Sequence, residues 1–459
     1  MNLIFATAED GLFGKNGHLP WKCKEDLQHF NRITVDTFLT NTIIMGRKTW
    51  ESLPAKLPNR HNVVIGKGET KPGYDAKYST LAEFVFPTDN SQVFIIGGKA
   101  LIADVLANYR EIIDNIYYTI IGADYLIAGL LDTDNVYLDF NIADYDLVQK
   151  NEQISVKFYQ LKINNQERQY LELLKRTIRG DCRDTRNAKT LSIFGENLSF
   201  DLTRGFPLLT TKKMFMRGIF EELMLFIRGQ TDSKILEAKG VNIWKGNTST
   251  EFIAKSGLPY QEGDMGPMYG FNWSHFGADY IDCKTDYTGK GHNQLADVLD
   301  LLENDPTSRR ILLTDYNPCT AKLGVLYPCH SIIIQFYING AGQVSMNMYQ
   351  RSVDEFLGLP FNIASSALFL HLICATLNAR AVLRDSLPVY RPFKLNILMG
   401  DCHVYKSHIE AVKKQLTRVP YTLPTINIKQ NSELDRYEWQ DVEILNYKSH
   451  PAIKAEMVA

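Results

Sequence analysis

The amino-acid sequence predicts two domains: an N-terminal α/β domain with a mostly parallel sheet flanked by helices, and a C-terminal α+β domain. A chain of 459 residues is too long for one hydrophobic core. Short β-branched runs alternate with helical stretches through residue 163, whereas the order of elements is irregular beyond residue 170. A polar stretch separates the two regions. We therefore place the domains at residues 1–163 and 170–459, with a short linker at 164–169.

The N-terminal domain carries β-branched runs that predict strands. They are Leu3–Ala8, Thr42–Met45, Asn62–Ile65, Val93–Ile96 and Ile116–Ile121. Helices are predicted between them at Lys24–Ile33 and Lys99–Asn108, and this alternation favours parallel strands with helices on both faces. The closing runs, Tyr145–Gln149 and Ser155–Ile163, predict an antiparallel hairpin.

The C-terminal domain opens with an amphipathic helix predicted to begin at Tyr170. A strongly apolar helix is predicted at Met214–Arg228 and a long one around Phe361–Asn378, with strands between them. This irregular order is typical of an α+β domain, and periodicity alone does not give its topology.

Composition and charge narrow the classes of partner. The formal net charge of −2 indicates no general attraction to nucleic acid or to an acidic membrane, although arginine clusters could bind small anions. The seven cysteines are scattered without a C-x-x-C pair, which is typical of free thiols in a reducing compartment and of a protein without a zinc site. The N-terminus has no basic segment, and no apolar run approaches the roughly 20 residues of a membrane span. We expect a cytoplasmic protein.

Two features of the N-terminal domain suggest chemistry. Asp26, Leu27 and Phe30 share one helical face, and an acid on an apolar face can have a raised pKa or hold a polar heterocycle. The alternative is a solvated acid favoured by the helix dipole. Gly97 and Gly98 lie between a predicted strand and a predicted helix. They could admit a pyrophosphate to the helix N-terminus or form a simple tight turn.

A series of motifs in a specific order covers most of residues 1–163. It consists of Gly14-Lys15-Asn16-Gly17-His18-Leu19-Pro20-Trp21, Asp26 with Phe30, Ile44-Met45-Gly46-Arg47-Lys48-Thr49-Trp50, Leu57-Pro58-Asn59-Arg60, Ile96-Gly97-Gly98 and Tyr118-Thr119. In these motifs the domain resembles dihydrofolate reductase. The resemblance implies that Asp26 binds the pterin with help from Thr119, that Arg60 holds the folate α-carboxylate, and that the folate pocket is lined by Ala6, Leu27 and Phe30.

The same resemblance implies NADPH as the cofactor, with hydride passing from its nicotinamide to dihydrofolate. The residues that would cradle its phosphates are Gly46, Arg47, Lys48, Thr49, Gly97 and Gly98. The sequence departs from the family at Ile102, where a tyrosine is usual, at Lys67, where a Ser-Arg pair is usual, and in a longer stretch at 123–137. These departures bear on how tightly NADPH is held and leave the reaction itself untouched.

Several residues of the C-terminal domain could carry chemistry. A nearby cation favours a thiolate, so Arg351 could activate Cys329, although a lone cysteine in a strand is most often an inert core residue. Glu222 lies in a nearly apolar helix, where a carboxyl group is either ion-paired or a tuned proton carrier. Arg309 and Arg310 are either a phosphate-binding pair or surface arginines.

Motifs throughout the C-terminal domain, again in a specific order, resemble thymidylate synthase. They are Leu191-Ser192-Ile193-Phe194-Gly195, Gly205-Phe206-Pro207-Leu208-Leu209-Thr210-Thr211-Lys212, Glu222-Leu223, Ile243-Trp244, Gly266-Pro267-Met268-Tyr269-Gly270, Ser308-Arg309-Arg310, Pro328-Cys329-His330, Gln350-Arg351-Ser352, Phe361-Asn362-Ile363-Ala364 and Gly400-Asp401-Cys402-His403-Val404-Tyr405. The resemblance runs from residue 170 to the end of the chain.

The resemblance implies a covalent reaction. Cys329 would attack C6 of dUMP and make C5 nucleophilic toward the methylene group of 5,10-methylenetetrahydrofolate, which supplies both carbon and hydride. Glu222 and Tyr269 would move protons. The folate would be contacted by Trp244, Asn247, Asp354, Gly358 and Ala459, with the C-terminus closing over the site.

The resemblance also implies a nucleotide site shared between two subunits of an obligate homodimer. The phosphate would be bound by Arg186, Arg351 and Ser352, together with Arg309 and Arg310 of the other subunit. Asn362 would bind the uracil edge, while His403 and Tyr405 would hold the deoxyribose hydroxyl. The loop around Arg186 is about one residue shorter than in the family pattern. Ser274 and Cys402 also depart from it, away from the covalent chemistry.

The two halves form a chemical pair, because thymidylate synthesis releases dihydrofolate, which the N-terminal domain would reduce. We predict an enzyme with both activities and no metal. One alternative is a nucleotide hydroxymethylase of the same fold, against which Asn362 argues because a cytosine amino group would favour a carboxylate there. A second alternative is a non-catalytic folate-binding or structural protein.

Overall fold

Residues Met1–Asn164 and Asn165–Ala459 form two units, each with its own sheet and hydrophobic core. The structure is a computed structural model and describes residues 1–87, 91–109, 112–127, 134–142, 145–153, 155–163, 165–384 and 390–458.

The first unit is built around one eight-stranded sheet. The strands of the unit in chain order are β1 (Asn2–Ala8), β2 (Leu12–Lys15), β3 (Thr42–Gly46), β4 (His61–Ile65), β5 (Ala76–Tyr78), β6 (Val93–Gly97), β7 (Asn115–Ile121), β8 (Asn135–Tyr137), β9 (Tyr145–Gln153) and β10 (Val156–Ile163). Of these, β2 and β8 pair with each other outside the eight-stranded sheet. The order across the sheet is β5-β4-β3-β6-β1-β7-β10-β9, with parallel pairing except where β10 pairs with β7 and β9. The predicted parallel sheet and closing hairpin are confirmed.

Three helices accompany this sheet: α1 (Lys24–Thr34), α2 (Arg47–Ser52) and α3 (Lys99–Asn108). The predicted helices correspond to α1 and α3. The turn from β6 into α3 requires glycine at position 98, because its φ of +89° lies in the left-handed region. Within the long stretch predicted at 123–137, β8 pairs with β2, while residues 128–133 lie outside the described residues.

The second unit has a six-stranded sheet and a two-stranded one. Its strands are β11 (Asp181–Asp184), β12 (Lys189–Asp201), β13 (Leu312–Thr314), β14 (Ile333–Ile338), β15 (Gln343–Asp354), β16 (Arg391–Tyr405), β17 (Thr425–Ile428) and β18 (Val442–Leu445). The larger sheet has the order β11-β12-β16-β15-β14-β13 and is antiparallel except between β15 and β16. Burial alternates along β14, so one face of the sheet packs on the core and the other is open.

The helices of the second unit are α4 (Glu167–Thr177), α5 (Met216–Ile227), α6 (Lys234–Ala238), α7 (Thr250–Ser256), α8 (Gly270–His275), α9 (Gln294–Asn304), α10 (Gly358–Leu383) and α11 (Ile409–Leu416). The first of them begins earlier than the predicted Tyr170. Its first residue, Glu167, is buried and accepts hydrogen bonds from the amides and hydroxyls of Thr210 and Thr211. Polar residues assigned to the linker therefore form the first turn of a packed helix.

Helix α10 lies in the core of the second unit and contacts α5, β15 and β16. By length and composition it could cross a membrane, which corrects the expectation that no segment reaches that length. Many of its side chains, including Leu368, Phe369 and Ile373, are buried within the protein. A helix that is apolar on all sides is expected at such a buried position.

Candidate active sites

A cavity of about 1090 Å³ lies at the carboxyl ends of the parallel strands of the first unit. The predicted residues that line it are Ala6, Asp26, Leu27, Phe30, Gly46, Arg47, Lys48, Thr49, Arg60, Gly97 and Gly98. Ile102 is fully buried in the core instead, and neither it nor Lys67 lines this cavity. The structure therefore gathers the predicted folate and cofactor residues around one space.

Asp26 lies near the start of α1, where its amide donates to Cys23 Sγ at 3.4 Å. Its carboxyl group lines the cavity. Burial raises the pKa of Asp26, against the opposing effect of Thr119 and Trp21. Thr119, on β7, thus lies beside Asp26 although it does not line the cavity itself. Of the two alternatives left open by the sequence, the raised pKa favours an acid held in a partly apolar pocket.

The glycines of the cavity bring backbone segments close together. A Cβ atom at Gly98 would lie 3.4 Å from Gly46 Cα, and one at Gly97 would lie 3.0 Å from Thr49 Cγ2. Side chains at these positions would fill the space between the ends of β3 and β6. Arg47 Nη1 forms an ion pair with Glu51 Oε1 at 2.9 Å. The backbone amides and cations suit the phosphates of a dinucleotide.

Arg60 is a buried cation beside the apolar wall of the cavity. Its Nη1 donates to Thr34 Oγ1 at 2.8 Å, its Nε donates to Pro58 O at 2.9 Å, and its guanidinium lies 5.6 Å from the centre of the Phe30 ring. Burial lowers the pKa of Arg60. No carboxylate of the described chain forms an ion pair with it, so its charge can serve an anionic ligand.

Cys329 lies in the loop between β13 and β14 of the second unit. Tyr269 Oη is 3.4 Å from its sulfur, and Arg351 Nε donates to the neighbouring Pro328 O at 3.1 Å. Burial raises the pKa of Cys329, although Tyr269 and the charge of Arg351 act in the opposite direction. Arg351 is thus close to Cys329 as predicted, but its charge does not outweigh burial.

Glu222 lies on α5 with its carboxyl group hydrogen-bonded to an indole. Trp244 Nε1 donates to Glu222 Oε1 at 2.7 Å. Burial raises the pKa of Glu222 to about 7, and the hydrogen bond from Trp244 partly opposes this. The ion pairs of this helix belong to its neighbour Glu221, which contacts Lys239 at 2.6 Å. Of the two alternatives left open by the sequence, the geometry favours a tuned proton carrier.

Some of the residues predicted to bind the nucleotide lie on two adjacent strands, β15 and β16. Ser352 pairs with Asp401 across β15 and β16. His403 Nδ1 is 2.8 Å from Asp401 Oδ1, and its ring lies edge-on to Tyr405 with the ring centres 5.2 Å apart. Asn362 is half-buried near the start of α10. The register of β15 and β16 therefore brings Ser352 close to Asp401 and His403.

The other arginines predicted to bind phosphate are exposed. Burial raises the pKa of Tyr405, and among the smaller effects the charge of Arg186 lowers it, so Arg186 lies near this ring. Arg309 and Arg310 lie between α9 and β13. Within the described chain, no hydrogen bond or ion pair joins their side chains to the other predicted residues.

The structure describes contacts for only some of the residues predicted to bind folate in the synthase domain. Asp354 accepts hydrogen bonds from the amides of Phe356 at 2.9 Å and Leu357 at 3.3 Å, just before α10 begins at Gly358. Asn247 is buried. Ala459 lies outside the described residues.

Comparison with known proteins agrees with this division into two sites. The dihydrofolate reductase family profile matches residues 1–168 and the thymidylate synthase profile matches residues 168–459. A bifunctional dihydrofolate reductase-thymidylate synthase from Paramecium tetraurelia is 39% identical and covers 99% of this chain and 98% of its own. Proteins of the same name from Leishmania major and Zea mays are 35% and 33% identical, covering 97% and 99% of this chain and 92% and 96% of their own. The chain belongs to the bifunctional dihydrofolate reductase-thymidylate synthase family.

As a bifunctional dihydrofolate reductase-thymidylate synthase, the chain has the two activities predicted from the sequence: thymidylate synthesis and dihydrofolate reduction. The dihydrofolate reductase domain implies NADPH as cofactor, and the thymidylate synthase domain implies 5,10-methylenetetrahydrofolate as cosubstrate. The glycine contacts between β3 and β6 fit NADPH because they leave room for its phosphates. Among the described residues, no group of three or more His, Cys, Asp or Glu side chains is arranged to hold a metal ion.

Three charged residues of the synthase domain were missed in the sequence. Burial lowers the pKa of Lys212 to about 7, and its ammonium lies 4.0 Å from the centre of the Phe356 ring. Burial raises the pKa of Glu355 to about 8 and that of Asp315 to about 7. For Asp315 the available signal was a single charge after a short apolar run, whereas Lys212 and Glu355 stand next to the charged residues Lys213 and Asp354 and gave no such signal. Asp315 follows Ile311-Leu312-Leu313-Thr314.

Proposed function

We propose that Cys329 is the nucleophile of the synthase site and attacks C6 of dUMP. The observation that carries this assignment is the convergence of Tyr269 and Arg351 on the cysteine loop, with a Tyr269 Oη to Cys329 Sγ distance of 3.4 Å. The thiol proton leaves as the S–C6 bond forms, and C5 then becomes the nucleophile that accepts the methylene carbon. Glu222, with a pKa near neutrality, takes up and returns protons on the pyrimidine and folate.

The substrates are held by charged and polar groups around this cysteine. Arg351 and Ser352 bind the phosphate together with Arg186, and Arg309 and Arg310 of a second subunit complete the phosphate site. Asn362 binds the uracil edge, and His403 with Tyr405 holds the deoxyribose hydroxyl. The folate is bound by Trp244, Asn247, Asp354, Gly358 and Ala459.

A homodimer through the synthase domain follows from this assignment, since both arginines of the Ser308-Arg309-Arg310 turn are exposed. The open face of the six-stranded sheet supports it. Ile333, Tyr349 and Leu398 are cross-strand neighbours on β14, β15 and β16, and each is 38–47% exposed. Such a contiguous apolar row is typical of an interface. Sedimentation of the full chain tests the proposal, and a monomer at assay concentrations would contradict it.

In the reductase site, Asp26 binds the pterin together with Thr119 in a pocket lined by Ala6, Leu27 and Phe30, while Arg60 binds the folate α-carboxylate. Gly46, Gly97 and Gly98 admit the NADPH phosphates, which Arg47, Lys48 and Thr49 contact. NADPH supplies the hydride. We also propose that both reactions proceed without a metal ion, in the cytoplasm; the free thiols of all seven cysteines agree with a reducing compartment.

One experiment tests both assignments. Purified protein receives dUMP, methylenetetrahydrofolate and NADPH, and dTMP formation and NADPH oxidation are followed separately. Cys329→Ser abolishes dTMP formation but still reduces added dihydrofolate, whereas Asp26→Asn chiefly loses the reduction. Cys319→Ser is the matched control because Cys319 is exposed and free. Formation of dTMP by Cys329→Ser at the parent rate would overturn the assignment.

A further inference from the structure

Asp315 is a buried carboxylic acid beside the synthase site to which the proposed mechanism assigns no role. It follows β13 and is completely inaccessible to solvent. Asn272 Nδ2 donates to its backbone oxygen at 2.9 Å and to its Oδ1 at 3.3 Å. Its Oδ2 has no hydrogen-bond partner of ordinary geometry among the described residues. Burying a carboxyl oxygen without a hydrogen-bond partner costs free energy. The position of Asp315 beside the nucleophile therefore suggests a function for it.

The first reason lies in the backbone of Tyr269. This residue has φ +45° and ψ −109°, a conformation that a residue with a side chain adopts only when its surroundings hold it. Asn272, on the helix that Tyr269 begins, donates from Nδ2 to the Asp315 carboxyl group at 3.3 Å, and the Tyr269 peptide N–H lowers the pKa of the same carboxyl. Asp315 is therefore the anchor for the strained residue whose hydroxyl contacts the Cys329 sulfur.

The second reason is charge. Burial is the main cause of the raised pKa of both Cys329 and Tyr269, and an ionised Asp315 raises both further. The other charged or titratable groups that face this pair are Arg351, which lowers the pKa of Cys329, and Glu222, which raises that of Tyr269. His330 stacks on the Tyr269 ring with centres 4.3 Å apart, and burial keeps its pKa at about 4, so it is neutral.

We propose that Asp315 is a positioning residue of the synthase site, which fixes Tyr269 against the Cys329 sulfur and, through its own ionisation, controls how readily that sulfur loses its proton. The proposal rests on the proposed role of Cys329. When Asp315 is neutral, the Cys329 thiol loses its proton more easily. When Asp315 is ionised, its negative charge opposes the formation of a thiolate at Cys329. A neutral residue of the same shape removes the charge while keeping an oxygen for the Tyr269 amide.

The test measures how fast iodoacetamide alkylates Cys329 in the ligand-free full chain across the pH range of the thiol titration, read from the mass of the peptide that carries Cys329. Because no turnover is needed, this readout is independent of dTMP formation. In Asp315→Asn, the midpoint is expected to move to lower pH by about one unit. Glu355→Gln is the matched control: it neutralises another buried carboxyl group of the same domain and leaves the midpoint unchanged. Superimposable profiles for Asp315→Asn and the parent would overturn the proposal.

A second variant tests the anchoring role. Asp315→Ala removes the carboxyl group that Asn272 binds at the start of the helix after Tyr269, so kcat for dTMP formation falls by about tenfold. The KM for dUMP changes little, and Asp315→Asn restores most of kcat. Equal kcat losses in both variants would contradict the anchoring role. If the alanine variant does not fold, the alkylation profile of the asparagine variant decides the question. Failure of the proposed function would appear separately, as dTMP formation by Cys329→Ser.

Discussion

Replacing Trp244 with phenylalanine tests whether one hydrogen bond sets the proton affinity of Glu222. The indole donates to the carboxyl group at 2.7 Å, which favours the charged form. Burial outweighs this effect and leaves the pKa at about 7. A hydrogen bond to a charged group contributes about 1.5–3 kcal/mol, which corresponds to about one to two pKa units. We therefore expect Glu222 in Trp244→Phe to titrate about one to two units higher and to stay protonated to a higher pH.

The assay is the pH dependence of kcat/KM for dUMP at saturating folate, which reports ionisations of the free enzyme. The ionisation of Glu222 is identified in the pH profile with Glu222→Gln, because the profile of this variant lacks that ionisation. Trp273→Phe is the matched control: its indole stacks on Phe369 with ring centres 5.2 Å apart, and its Nε1 has no hydrogen-bond partner among the described residues. An unmoved ionisation in Trp244→Phe, or the same displacement in Trp273→Phe, would refute the reasoning.

Two further predictions concern other buried charges. Arg60→Leu raises the KM for dihydrofolate by about tenfold to a hundredfold with a smaller change in kcat, because a charge-assisted contact to the ligand carboxylate is lost. Steady-state NADPH oxidation measures this, and an unchanged KM would contradict it. Glu355 has a pKa raised from 4.5 to about 8, so its stabilising contribution is complete below 4.5 and is lost as pH rises through 8. The melting temperature of Glu355→Gln relative to the parent should therefore rise across this interval in calorimetric scans; a constant difference would count against it.

The elements of the reductase domain could be predicted because central parallel strands are buried on both faces and appear as continuous apolar runs. Ile43–Met45 and Phe94–Ile95 are such runs, and both are almost completely buried. The order of strands across the sheet could not be predicted, since it depends on pairings distant in sequence. In the synthase domain, α10 begins at Gly358 rather than at the predicted Phe361. The helix extends back past Pro360 because proline is well tolerated in the first turn, where its missing N–H has no partner in any case.

The site could be predicted where a residue type conflicts with its local surroundings. Glu222 conflicts with an apolar helix, and this conflict is local, so the sequence revealed it. Its partner Trp244 lies on another segment and was assigned to folate through resemblance alone. Asp315 stands at the end of a short strand, and the strain that it supports at Tyr269 is a property of the backbone. No pattern in the sequence encodes that strain.

The raised pKa of Cys329 changes how the covalent step must proceed. The sequence suggested a thiolate favoured by Arg351, but burial raises the pKa of the Cys329 thiol above its ordinary value and so disfavours a thiolate in the ligand-free protein. Under the proposed function, the dUMP phosphate also binds Arg351, and its negative charge weakens the stabilisation of a thiolate further. The proton must therefore leave as the S–C6 bond forms. Tyr269 touches the sulfur, but burial raises its own pKa well above the usual range, so it can relay a proton and not retain the negative charge. Glu222 titrates near 7 and can hold that proton. An alkylation midpoint in the parent protein below that of an ordinary cysteine would contradict this account.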